Sequence, residues 1–162
     1  MVKAICPGSF DPVTFGHIDI ITRASKMFDV VLVAVMVNPE KKPSFTLEER
    51  IDFLKRTIPD RSNIQVVSFN GLLADFAKET NSDIIVKGLR AVSDFEYEFQ
   101  MALANRKLNT DVETVFLPTK ADNMFLSSSM VKQIAKFGGD ISQFVPSEIL
   151  YDITKRFYKG EV

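Results

Sequence analysis

Short apolar runs alternate with stretches of helical periodicity along the whole chain. Val30 to Val37 is an unbroken aliphatic run, the pattern of a strand covered on both faces. Val2 to Cys6, Ile64 to Val67, Asp83 to Lys87 and Glu113 to Leu117 read as further strands. Between them the spacing changes to that of helices. In His17 to Phe28, for example, Ile20, Ile21, Ala24 and Phe28 fall on one face. Thr46 with Glu49 and Ser93 with Glu96 predict capping boxes, opening helices over Thr46 to Ile58 and Ser93 to Leu108. Gly71 to Thr80, Ser129 to Phe137 and Pro146 to Tyr158 complete the helices. Pro7-Gly8, Gly88 and Pro118 are expected to stop the first, fourth and fifth strands. Repeated βα units of this kind predict an α/β fold: a doubly wound five-stranded parallel sheet with helices on both faces. No repeat, low-complexity tract or linker interrupts the pattern, so residues 1–162 are expected to form one domain.

In such sheets, ligands bind beyond the carboxyl ends of the strands, at a topological switch point. The loops after Cys6, Val37, Val67, Lys87 and Leu117 are therefore where chemistry is expected. The first of them, Pro7 to His17, is long for a strand-to-helix connection, where about 2–6 residues is usual. Gly8 and Gly16 let its backbone approach a ligand closely. The helix that begins near His17 turns free N–H groups and its positive end toward the rim, a ready anion site. His17 adds two ring nitrogens, and the plain alternative is a turn at Asp11-Pro12 with His17 as a cap.

The second loop, Asn38 to Phe45, offers Lys41 as a point charge for a phosphate, or else is a solvated turn. In the fourth, Lys87 and Arg90 flank Gly88 at the end of a buried strand. A cation there is costly without an anion nearby, which is either a phosphate or one of the carboxylates Asp94 and Glu98. The last loop, Asn123 to Met130, places Ser127, Ser128 and Ser129 before an amphipathic helix. One serine suffices for a cap, so two are left to explain.

Composition narrows the choice. The 162 residues are 46% hydrophobic and 25% charged, as in an ordinary globular chain, and the formal net charge is −1. That balance points to neither nucleic acid nor an acidic membrane, so cations for a phosphate have to be gathered locally. No run approaches the roughly 20 apolar residues of a membrane span. The apolar stretch before Pro7 is too short for a signal peptide, and a lone cysteine, Cys6, fits a reducing compartment. A cytoplasmic protein is expected.

Several segments together resemble the bacterial phosphopantetheine adenylyltransferases, in the nucleotidyltransferase superfamily with its T/H-x-G-H motif. They are Pro7-Gly8-Ser9-Phe10-Asp11-Pro12 with Thr14-Phe15-Gly16-His17-Ile18-Asp19, Phe45 to Arg50, Gly88 to Glu98 and Ser127-Ser128-Ser129. The first motif is superfamily-wide, and the Gly88 to Glu98 block is specific to this family. The resemblance implies a Rossmann-like nucleotidyltransferase fold and transfer of the adenylyl group of ATP to 4′-phosphopantetheine. The products are dephospho-coenzyme A and pyrophosphate, with Mg2+ as cofactor and no metal ligands on the chain. It implies His17, Lys41 and Arg90 as catalytic residues. It implies ATP contacts from Ser9, Phe10, His17, Gly88, Leu89, Arg90, Glu98, Asn123, Met124, Phe125, Leu126, Ser127, Ser128 and Ser129, and phosphopantetheine contacts from Ser9, Lys41, Leu73 and Lys87. A homohexamer with coenzyme A as feedback inhibitor is implied as well. The family often carries arginine where this chain has Lys87, which replaces a planar fork by a point charge. The rival readings are a cytidylyltransferase, a nicotinamide mononucleotide adenylyltransferase and a nucleotide-binding module without catalysis.

Overall fold

The structure, a computed structural model, describes residues 1–37 and 42–158. The five strands are β1 (Lys3–Gly8), β2 (Val30–Val37), β3 (Ile64–Asn70), β4 (Ile84–Leu89) and β5 (Glu113–Pro118). They form one parallel sheet in the order β3-β2-β1-β4-β5. The helices are α1 (Phe15–Met27), α2 (Leu47–Thr57), α3 (Leu73–Glu79), α4 (Val92–Leu108), α5 (Ser128–Lys136) and α6 (Ser147–Phe157), with a 3-10 turn at Ala121–Asn123.

Strand alternation divides the core between the two faces. Ala4, Cys6, Val31, Val33 and Val35 pack with residues of α1, α2, α5 and α6, among them Ile21, Leu54, Val131 and Ile153. Ile5, Leu32, Ala34 and Ile85 pack on the other face with Phe76 and Ala77 of α3. Because the side-chain period in a strand is two, the continuous apolar runs seen in the sequence feed both faces at once. Burial pushes the Cys6 thiol up to about 12, so it is an inert core side chain rather than a nucleophile.

The order of the strands places the switch point between β1 and β4, and the register opens it. β1 pairs with β2 as far as Gly8↔Val35, and β4 pairs with β5 as far as Leu89↔Pro118. The ladder between β1 and β4 ends at Ile5↔Ile85. Beyond that point the two central strands continue without pairing to each other, which leaves a crevice at their carboxyl ends.

The structure corrects several expected boundaries. β1 runs through Pro7 to Gly8, because Pro7 lies past the last β1–β4 pair and no bond to β4 is lost there. β3 extends to Asn70, and α3 starts at Leu73 rather than at Gly71, whose φ of +128° makes it a turn residue. The Thr46–Glu49 capping box forms, with Thr46 N–H donating to Glu49 at 2.7 Å and Glu49 N–H donating to Thr46 Oγ1 at 3.2 Å. The Ser93–Glu96 box does not open α4. That helix begins at Val92 with Ala91 as its N-cap, one residue earlier than expected.

Candidate active site

The loop after β1 folds back over its own strand. Phe10 has a φ of +47° and is buried, and its ring meets His17 edge-on with centroids 5.1 Å apart. A Cβ on Gly8 would stand 2.9 Å from the Phe10 ring, so Gly8 makes room for that side chain. Gly8 thus has a packing role in this loop. At Gly16 a Cβ would meet nothing nearer than Thr14 Oγ1 at 3.6 Å, which leaves open space at the start of α1. Gly88 likewise serves packing, since a Cβ there would lie 2.9 Å from Ile20 Cγ1 of α1.

His17 is the third residue of α1, and its ring reaches back to the cap. Thr14 N–H donates to His17 Nδ1 at 3.0 Å, with Thr14 Oγ1 3.1 Å from the same nitrogen. A backbone N–H can only donate, so Nδ1 is the acceptor and the neutral ring carries its proton on Nε2. Burial, and after it the charge of Arg90, lowers the pKa of His17 from 6.5 to about 4. The sequence left open whether this ring is a cap or a phosphate contact. Its two nitrogens allow both: Nδ1 caps while Nε2–H remains available as a donor.

That arrangement fixes an expected pH response. A depressed pKa means the unfolded chain binds the proton more tightly, so this group's contribution to stability is complete above pH 6.5 and is lost as the pH falls toward 4. Nitrogen-detected NMR of the single histidine in the free protein is expected to show the Nε2–H tautomer and a midpoint well below 6.5. A midpoint at or above 6.5 would contradict the bond from Thr14.

Arg90 is held in a fork. Its Nε and a terminal nitrogen donate to the two Asp94 oxygens at 3.0 and 3.2 Å, and its other terminal nitrogen donates to Leu126 O at 3.0 Å. The pairing with Asp94 foreseen as an alternative is therefore formed. Its third bond ties the cationic loop to the serine loop. Lys87 Nζ lies 3.1 Å from Glu98 Oε2, an oxygen that is fully buried and has no hydrogen-bond partner among the described residues. Glu98 thus faces Lys87.

The serines divide as capping logic requires. Ser127 Oγ accepts from Met130 N–H at 3.1 Å and is the N-cap of α5. Ser128 Oγ donates to Pro12 O at 2.7 Å and binds the serine loop to the first loop. Ser129 is exposed and its hydroxyl makes no hydrogen bond among the described residues. Met124 and Phe125 are exposed, Asn123 ends the 3-10 turn and Leu126 is buried. Ser9 is exposed while its carbonyl accepts from Arg50, and Leu89 closes β4 half-buried. Leu73 opens α3 and packs on the other face of the sheet. Lys41 lies outside the described residues.

Sequence reasoning passed over two charged residues. Arg50 is 4% exposed and donates to Ser9 O at 2.8 Å and Met36 O at 3.3 Å, joining the first loop to the end of β2. Its signal was present: Arg50 shares the apolar face of α2 with Leu47 and Leu54, where a charge needs a reason. Asp11, seen only as a turn residue, is 6% exposed and accepts from Ser44, Phe45 and Lys132.

The charge of Arg90 thus reaches His17 while its guanidinium holds the serine loop at Leu126, and Lys87 stands on the same strand end, facing Glu98. A family model described as cytidylyltransferase-like matches residues 5–134. The phosphopantetheine adenylyltransferase of Clostridium kluyveri is 58% identical over 160 residues, covering 99% of this chain and 98% of that protein. The phosphopantetheine adenylyltransferase of Caldanaerobacter subterraneus subsp. tengcongensis is 55% identical over 160 residues, covering 99% of this chain and all of that one. This chain belongs to the phosphopantetheine adenylyltransferase family.

Phosphopantetheine adenylyltransferases are nucleotidyltransferases that make dephospho-coenzyme A in coenzyme A biosynthesis. Their fold is wider than the family. A putative nicotinate-nucleotide adenylyltransferase from Vibrio parahaemolyticus superposes with a TM-score of 0.67 at 19% identity, covering 94% of this chain and 99% of its own. Identity that low supports the Rossmann-like architecture alone.

Proposed function

We propose that adenylyl transfer from ATP to 4′-phosphopantetheine takes place in the crevice between β1 and β4, with His17 and Arg90 on the triphosphate. The acceptor's phosphate is already ionised at neutral pH, so no general base is needed. One of its oxygens attacks the α-phosphorus of ATP. As the new P–O bond forms, the bond to the β-phosphate oxygen breaks and pyrophosphate leaves with its electron pair. The chain's work is to bring two anions together, hold them in line and offset the growing charge.

The observation that carries this reading is the Thr14 N–H on His17 Nδ1, which leaves Nε2–H as a fixed neutral donor beside a helix N-terminus. A neutral donor can stabilise a phosphoryl oxygen without first being protonated, which suits a ring whose pKa is about 4. Arg90 supplies the charge, in a fork already oriented by Asp94 and Leu126. Ser9, Phe10, Gly88, Leu89, Glu98 and the loop Asn123 to Ser129 would surround ATP. Lys41, Lys87, Ser9 and Leu73 would take phosphopantetheine, with Lys87 released from Glu98 as the acceptor phosphate arrives.

Among the described residues no cluster of three or more His, Cys, Asp or Glu side chains could hold a metal. Mg2+, when bound with ATP, would neutralise phosphate charge, and no residue of the chain is assigned to it. The homohexamer is supported by α4. Only Asn105 of that helix is buried, while Val92 is 80%, Tyr97 64% and Leu103 57% exposed, an apolar surface of the kind that subunits cover. Feedback by coenzyme A follows from its shared phosphopantetheine arm, which would compete for the acceptor subsite. No described helix is long and apolar enough to cross a membrane, and the family's use of ATP supports a cytoplasmic setting.

The decisive assay measures pyrophosphate release for each pairing of ATP or CTP with phosphopantetheine or nicotinamide mononucleotide. Release is expected only with ATP and phosphopantetheine, and only with magnesium present. ATP binding without release in every pairing would replace the enzyme reading by that of a nucleotide-binding module.

A further inference from the structure

Asp11 joins three parts of the chain that are far apart in sequence. Its carboxylate accepts Phe45 N–H on Oδ1 and Ser44 N–H on Oδ2, both at 2.9 Å. Lys132 of α5, 121 residues away, donates to Oδ2 at 2.9 Å. Every partner is a donor, and together they occupy most of what two carboxylate oxygens can accept. The Asp11 side chain is 9% exposed and that of Lys132 24%, so the pair is largely withdrawn from water. Surface pairs of lysine and aspartate hold little geometry, but a desolvated pair with further hydrogen bonds resists displacement.

Lys132 stands one helical turn beyond Ser128, on the same face of α5. Ser128 Oγ donates to Pro12 O at 2.7 Å, so α5 grips the first loop at two successive residues, Asp11 and Pro12. The first loop leads into His17, and the N-cap and first turn of α5 carry Ser127, Ser128 and Ser129. A shift of α5 along the loop would move those hydroxyls relative to His17 without changing either local structure.

We propose that Lys132 is a positioning residue for the nucleotide side of the site, acting through Asp11 to fix the serine loop against the loop that carries His17. It touches no reacting atom. Its ammonium neutralises the Asp11 carboxylate, and the carboxylate in turn holds the segment entering α2. The inference rests on the adenylyltransferase reading of this crevice.

Lys132→Met removes the charge and the donor and keeps an aliphatic stem in place. Steady-state kinetics with both substrates are expected to show KM for ATP up by about tenfold and kcat down by a similar factor, the usual scale of a small misplacement. KM for phosphopantetheine should stay near the parent value, while the melting temperature falls, because Asp11 loses its counter-charge in a largely desolvated setting. Lys132→Arg, which keeps charge and donor, is expected to restore both parameters. In an Asp11→Asn background, Lys132→Met should add little further loss, because the two side chains act as one link. An unchanged KM for ATP in Lys132→Met overturns the proposal, as does an equal rise in both KM values. The parent protein separates the two claims: no pyrophosphate from ATP and phosphopantetheine sinks the adenylyltransferase reading itself, whereas an active parent with an indifferent Lys132→Met sinks only this inference.

Discussion

His17→Gln is expected to keep the melting temperature close to that of the parent while kcat falls by about 10²–10³. His17→Ala should lose the same turnover and stability as well. The difference comes from the two tasks of one ring. Nδ1 accepts the N–H of Thr14, a residue only 2% exposed, so alanine leaves a buried donor without a partner. That typically costs about 1–3 kcal/mol. Glutamine at the third helical position is the residue that ordinarily closes a capping box, and its carbonyl can take the Thr14 N–H. It cannot place an N–H where Nε2–H stands. Thermal melting with steady-state rates separates cap from catalyst. If His17→Gln turned over normally, the ring would be a cap and nothing more.

Arg90→Ala is expected to lower kcat/KM for ATP by about 10²–10³ or more, with Arg90→Lys recovering little of it. Arg90 does three things at once, and they are separable. It carries a positive charge that acts on His17, it answers Asp94, and it anchors Leu126 O at the head of the serine loop. Lysine restores a point charge but cannot make the two-sided bond to Asp94 and reach Leu126 as well. Removing the guanidinium also removes the second cause of the low His17 pKa, so the NMR midpoint of that ring should rise. Burial remains as the larger cause, so the rise should stop short of 6.5. Full activity in Arg90→Lys would mean that charge alone matters and the fork is incidental.

Much of this site could be read from the chain because its parts sit at strand ends. The run Val30 to Val37 announces a strand covered on both faces and Glu113 to Leu117 a further strand, and the parallel arrangement puts every following loop on one rim. His17, Lys87 and Arg90 were visible for that reason. What Gly8 and Gly88 pack against was not legible in the sequence, because a glycine's neighbour is not written beside it. For Gly8 it is the Phe10 ring two residues on, and for Gly88 it is Ile20 on another element. The Ser93–Glu96 box failed because α4 had already started, at a backbone cap the side-chain pattern does not record.

Sequence by itself determined the elements, the parallel sheet, the rim and the family, since each depends on local periodicity or on contiguous residues. Tertiary structure decided the pairings: Thr14 on His17 Nδ1, Arg90 between Asp94 and Leu126, Lys87 facing Glu98, and Lys132 on Asp11. A charge or ring nitrogen is satisfied by whatever packing brings within about 3 Å of it, and that neighbour can lie anywhere along the chain. The proton on Nε2 of His17 follows from such a contact, and so was written only in the fold.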